Sequence, residues 1–123
     1  MIFDLTDENY VQFVEKTDKP FFIDFYTPMC GACQQIELYL DDLANYYGDQ
    51  ATICRCNARE NPKLAKKYQI SSVPLCLVIG NDKTVKNVEV GAKESSRYFE
   101  MVDEVLGKKS SFLSSIFGIF GGK

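Results

Sequence analysis

Cys30 and Cys33, two cysteines three residues apart, are the side chains in this sequence best placed to do chemistry. At positions i and i+3 of a helical start they share a face and can close a small disulfide ring. The first would sit where unsatisfied backbone N–H groups and the helix dipole favour an anion, so Cys30 is the thiol expected to ionise. A free thiol of pKa about 8.5 is roughly 3% ionised at pH 7, and one lowered to about 7 is half ionised, a difference of roughly 2 kcal/mol. Cys30 is therefore expected to attack a disulfide and Cys33 to resolve the mixed disulfide. A third group, Asp24, is the single acid inside the apolar run just before the dithiol. An unpartnered carboxylate there is costly enough to suggest a functional role.

Elements must exist to place these three. Residues 21–35 read FFIDFYTPMCGACQQ. The aromatic and β-branched run is too short for a helix and predicts a buried strand, which Pro28 ends. After Cys33, the residues Ile36, Leu40, Leu43, Ala44 and Tyr47 recur at helical spacing and predict a long helix from about Gly31 to Tyr47, stopped at Gly48. Upstream, Ile2 and Phe3 suggest a short strand. Thr6 offers a cap for a first helix with Tyr10, Val11, Phe13 and Val14 on its apolar face, and residues 17–20 break it.

Downstream, residues 51–56 read as a strand, and Pro62 suits the first turn of a short helix carrying Leu64, Ala65 and Tyr68. A loop through Val73-Pro74 leads to a strand over 75–79, and turn chemistry at 80–83 to another over 84–90 that ends at Gly91. Ser95 and Ser96 can cap a last helix burying Tyr98, Phe99, Val102, Val105 and Leu106. The sum is an α/β fold, a mixed central sheet of about five strands flanked by about four helices.

Composition narrows the function. The 123 residues are 46% hydrophobic, enough for a domain with a real core. The net charge of −3 argues against nucleic acid as a partner, and the absence of histidine removes most hydrolase constellations. The acidic N-terminus has no charged segment leading into an apolar one, so no signal peptide is expected and the cytoplasm is the default compartment. Five cysteines are an odd number for a disulfide framework, whereas one CxxC in a β/α pattern reads as a redox motif.

The order of elements over about residues 5–107 resembles thioredoxin. Four features carry the resemblance: Asp24 in the strand before the dithiol, Cys30-Gly31-Ala32-Cys33, Val73-Pro74 opening the fourth strand, and Gly91 closing the fifth. The resemblance implies the thioredoxin fold and protein-disulfide reduction through a Cys30–Cys33 disulfide, with Asp24 helping to deprotonate Cys33. It also implies a cis peptide bond before Pro74. Substrates would lie in a groove made by Met29, Gly31, Ala32, Val73, Pro74, Gly91 and Ala92, with Val73 pairing an extended substrate like an added strand. The implied partners are disulfide-containing proteins and a thioredoxin-reductase-type electron donor, in electron transport serving cell redox homeostasis. No resident cofactor or metal is expected.

The sequence also departs from that pattern. Met29 stands where tryptophan is usual, and Gly31-Ala32 replaces Gly-Pro, which frees an N–H near the Cys30 sulfur. Tyr26-Thr27-Pro28 looks instead like the approach to the dithiol in protein disulfide isomerase domains, which keeps an oxidase or isomerase open as an alternative. Arg55, where a lysine is common, is expected to hold Asp24 ionised. Cys54, Cys56 and Cys76 are expected to act as small buried hydrophobes. Residues 1–107 are taken as the domain and 108–123 as an amphipathic extension, in which Phe112, Leu113, Ile116, Phe117 and Phe120 share a face. Too short to span a bilayer, that extension suits packing, a membrane surface or a partner, so a non-catalytic adaptor is a further alternative.

Overall fold

The computed structural model describes residues 1–108. The extension expected from 108 onward lies, beyond Lys108, outside the described residues.

Strand β1 (Ile2–Asp4) is followed by helix α1 (Tyr10–Lys16), the central strand β2 (Phe21–Tyr26) and the long helix α2 (Gly31–Tyr47). Then come β3 (Thr52–Asn57), α3 (Pro62–Lys67), β4 (Leu75–Ile79), β5 (Val85–Val90) and α4 (Ser95–Val105). The five strands form one sheet in the order β1-β3-β2-β4-β5, in which β1, β3 and β2 run parallel and β4 and β5 antiparallel. This is the expected mixed sheet with four helices.

Alternation along β2 sorts its side chains onto two faces. Phe22 packs with Ile36, Leu40 and Leu43 of α2 and with Tyr98, Met101 and Val102 of α4. Phe21, Ile23 and Phe25 pack on the other face with Leu5, Leu64, Leu75 and Leu77, beneath α1 and α3. Because β2 is covered on both sides, its apolar residues show no polar alternation, and Asp24 interrupts an otherwise apolar interior. Burying one Leu or Phe is worth roughly 1.5–3 kcal/mol, so these two layers hold the sheet against α2 and fix the helix start in space.

Two local details differ from the sequence reading. Thr6 does not cap α1; it exchanges hydrogen bonds with Asn9, and Asn9 is the residue preceding the helix. The adjacent Asp7 caps α3 instead, accepting from the N–H groups of Lys63 at 3.0 Å and Leu64 at 2.9 Å. The Asp7 carboxylate thus satisfies two of the N–H groups that open α3 after Pro62. In the last helix Ser95 is already helical and Glu94 precedes it.

Candidate active site

Helix α2 begins directly after the short loop from β2, and Cys30 is its N-cap in an extended conformation. The Cys30 Sγ accepts a hydrogen bond from the Cys33 N–H at 3.2 Å, so the donor on the sulfur belongs to Cys33 rather than to Ala32. Free N–H groups and the positive end of a 17-residue helix both favour negative charge at this sulfur. Cys30 and Cys33 form a disulfide with Cα atoms 5.3 Å apart. The two sulfurs are unequal: Cys30 is half-buried, whereas Cys33 is only 3% exposed. Met29 beside them is 85% exposed, and Gly31 and Ala32 are also on the surface.

The Val73-Pro74 peptide bond is cis. It turns the chain so that the Val73 carbonyl oxygen lies 3.9 Å from the Cys30 Sγ, with Val73 half-buried and Pro74 buried. Gly91 donates its N–H to the Pro74 carbonyl at 2.8 Å, in the left-handed region at φ 84°, which glycine enters without a side-chain penalty. Tyr98 fixes the next turn, its hydroxyl accepting from the Lys93 N–H at 2.7 Å and donating to the Gly91 carbonyl at 3.5 Å. Ala92 between them packs on the core layer of α2 and α4. The Val73-Pro74 loop thus meets the dithiol at Val73 and is held at Pro74 by Gly91.

Asp24 lies behind the disulfide, 2% exposed. It lines a small cleft of about 110 Å³ together with Tyr26, Thr27, Pro28, Cys33, Glu37 and Arg55. A space of that size is large enough to admit water, and water can carry a proton between a sulfur and a carboxylate. Burial pushes the Asp24 carboxyl up to about 7; a hydrogen bond from Cys76 lowers it, Glu37 raises it, and Arg55 has the smallest, lowering effect. The expected control by Arg55 is corrected here. Its guanidinium is engaged by Asp4 at 2.7 Å and Glu37 at 2.8 Å, so desolvation wins over a cation already paired with other carboxylates. A carboxyl near 7 matches the pH range in which an activated thiol gives up its proton.

The remaining thiols separate by face. Cys54 and Cys56 are buried in the layer beneath α1 and α3, and Cys76 in the layer beneath α2 and α4. Burial raises the Cys54 thiol strongly and pushes Cys56 up to about 12. Among the described residues no group of three or more histidine, cysteine or acidic side chains is placed to hold a metal. Cys76 is the residue that sequence reasoning under-read. Its Sγ lies 3.7 Å from Asp24 Oδ1, because β2 and β4 pair antiparallel with Asp24 directly opposite Cys76. Only that non-local register reveals the contact; the sequence signal available was one sulfur in the otherwise aliphatic run Leu75–Ile79.

A central strand that delivers a CxxC disulfide to a helix start, facing a cis-proline loop and backed by a buried carboxylate, defines a thiol–disulfide exchange site. The sequence matches the family model described as Thioredoxin over residues 1–104. It is 33% identical to thioredoxin of Chlorobaculum thiosulfatiphilum over 105 residues, covering 85% of this chain and 96% of that one. It is likewise 33% identical to thioredoxin of Rhodospirillum rubrum over 99 residues, covering 80% and 94%. The M-type chloroplastic thioredoxin of Spinacia oleracea is 29% identical over 84% of this chain and 56% of its own length. The chain belongs to the thioredoxin family and is a thiol–disulfide oxidoreductase. Among the described residues no helix is long and apolar enough to cross a membrane.

Proposed function

We propose that this protein works as a cytoplasmic reductant of protein disulfides, carrying electrons from a reductase to its substrates and so serving cell redox homeostasis. In the reduced protein the Cys30 thiolate attacks one sulfur of a substrate disulfide, forming a mixed disulfide and releasing the other substrate sulfur as a thiolate. Cys33 passes its proton through water in the cleft to Asp24, and its thiolate attacks the Cys30 sulfur. The second substrate thiolate leaves, and the Cys30–Cys33 disulfide holds the oxidised state. Two electrons from a thioredoxin-reductase-type donor restore the dithiol. Met29, Gly31, Ala32, Gly91 and Ala92 border the groove, and Val73 offers backbone groups to an extended substrate beside Pro74.

The observation that carries this reading is the inequality of the two sulfurs. Cys30 is reachable and stabilised as an anion by the Cys33 N–H at 3.2 Å, whereas Cys33 is buried beside the cleft that Asp24 lines. Such a pair attacks outward with one sulfur and inward with the other. Cys30→Ser should abolish reduction of insulin disulfides. Cys33→Ser should trap the mixed disulfide on Cys30, which mass spectrometry reads directly.

Tyr26-Thr27-Pro28 and the Gly31-Ala32 pair between the cysteines favour one second reading, an oxidase or isomerase on the same site. The equilibrium potential of the couple separates the two. A value near the roughly −270 mV of thioredoxin supports reduction, and one near roughly −180 to −120 mV supports oxidation or isomerisation. If the Cys30→Ser, Cys33→Ser double variant kept the biological activity while removal of 108–123 destroyed it, the protein would be an adaptor.

A further inference from the structure

We propose that Cys76 is a positioning residue for the dithiol reaction: its S–H, donated to Oδ1 of Asp24 at 3.7 Å, fixes the carboxylate so that Oδ2 is left for the cleft shared with Cys33. This rests on the reading that Asp24 takes the Cys33 proton. Strand pairing imposes the contact, since Asp24 and Cys76 are direct partners across β2 and β4, and the two are 2% and 0% exposed. The rotamers have little room to part in a packed interior.

Among the described residues the Cys76 thiol is the side-chain hydrogen-bond donor to this carboxylate. Burial and the neighbouring Asp24 charge raise the Cys76 thiol well above its ordinary value, so it stays protonated and remains a donor throughout the working pH range. An aliphatic side chain in its place would leave the ionised carboxylate facing apolar packing on that side. A thiol is a weak donor, and weakness suits the task. It orients the carboxylate and eases its ionisation without saturating it, so Asp24 can still accept a proton on Oδ2 and later return it to solvent. Cys76 itself neither loses nor gains a proton in the cycle.

The other groups that face Asp24 are Cys33 and Glu37 from α2, Arg55 from β3 and Tyr98 from α4, with Glu89 of β5 behind Cys76. Glu37 and Arg55 are paired to each other at 2.8 Å and act on Asp24 in opposite directions, Glu37 the more strongly.

The test is an NMR titration of the Asp24 carboxyl carbon in the full reduced chain, alongside the pH profile of single-turnover insulin reduction. Cys76→Ala should raise the Asp24 midpoint by about one pH unit and move the acid limb of the rate profile upward by the same interval. Cys76→Ser, which keeps a donor of similar size, should bring both back to the wild-type position or below it. An Asp24 midpoint that is the same in all three proteins, beside an acid limb that disappears in Asp24→Asn, overturns the role of Cys76 alone. A midpoint raised equally in Ala and Ser assigns the effect to packing and also overturns it. An acid limb that survives Asp24→Asn overturns the role of Asp24, and this proposal with it.

Discussion

Asp24 and Asp103 are both 2% exposed, yet the molecule treats them differently. Asp103, on α4, receives the Tyr47 hydroxyl at 2.6 Å, and that hydroxyl is also 2.8 Å from the Phe99 carbonyl, so helices α2 and α4 are tied together by a strong oxygen donor. Asp24, on the central strand, receives among the described residues a thiol at 3.7 Å and opens on a small cleft of about 110 Å³. One carboxylate is satisfied in place and holds two helices in register. The other is held by a weaker donor and shares a cleft with Cys33. Burial alone therefore does not distinguish the two acids; what sets Asp24 apart is a weak donor together with a cleft that reaches it.

The largest consequence is in stability. The rise of Asp24 from its ordinary 3.8 to about 7 means that the folded protein binds a proton that the unfolded chain has already released across that interval. Stability then falls as pH rises from about 4 to about 7, by roughly 4 kcal/mol at about 1.4 kcal/mol per pH unit, and levels off above. Asp24→Asn should remove this loss. The variant should gain nothing near pH 4 and about 4 kcal/mol near pH 8, read from urea unfolding of the oxidised protein. A stabilisation that is flat with pH would mean that the carboxyl is not raised by burial.

Tyr47→Phe probes the other acid. Removing the hydroxyl leaves Asp103 buried without its donor, which costs about 2 kcal/mol. The urea midpoint should fall accordingly, while insulin reduction at neutral pH stays within about twofold, since Asp103 lies on α4 and does not line the cleft. A large drop in turnover would place the α2–α4 tie in the reaction and erase the contrast between the two acids.

The sheet, the helices and the dithiol were legible in the sequence because each rests on local pattern. Apolar runs of strand length, the helical recurrence from Ile36 to Tyr47, and Pro62 and Gly48 as punctuation are carried by neighbouring residues. The Cys30–Cys33 pair at the start of α2 followed from a three-residue spacing at a helix start. What escaped depends on register between distant strands. That Asp24 meets Cys76 needs the β2–β4 pairing, and that Arg55 is held by Asp4 and Glu37 needs β1, β3 and α2 placed together. The cap of α3 by Asp7, more than fifty residues away in sequence, escaped for the same reason. The resemblance put Arg55 near Asp24, and the two are indeed paired in register across β2 and β3, but the long side chain follows the carboxylates of Asp4 and Glu37 rather than its backbone neighbour.

Arg55 gives the smallest and most discriminating effect. Its pairs with Asp4 and Glu37 lie at the surface, the Arg55 side chain being 34% exposed, and such pairs contribute roughly 0.2–1 kcal/mol each at low salt and less when screened. Arg55→Met should therefore cost about 1 kcal/mol or less, a loss that shrinks further in high salt. Because the Arg55 charge is the least of the influences on Asp24, the carboxyl midpoint should rise by less in Arg55→Met than in Cys76→Ala. If the cation moved the midpoint more than the thiol, Asp24 would be under long-range charge control, as the sequence alone suggested, and its difference from Asp103 would lie in surface electrostatics rather than in the donor each acid is given.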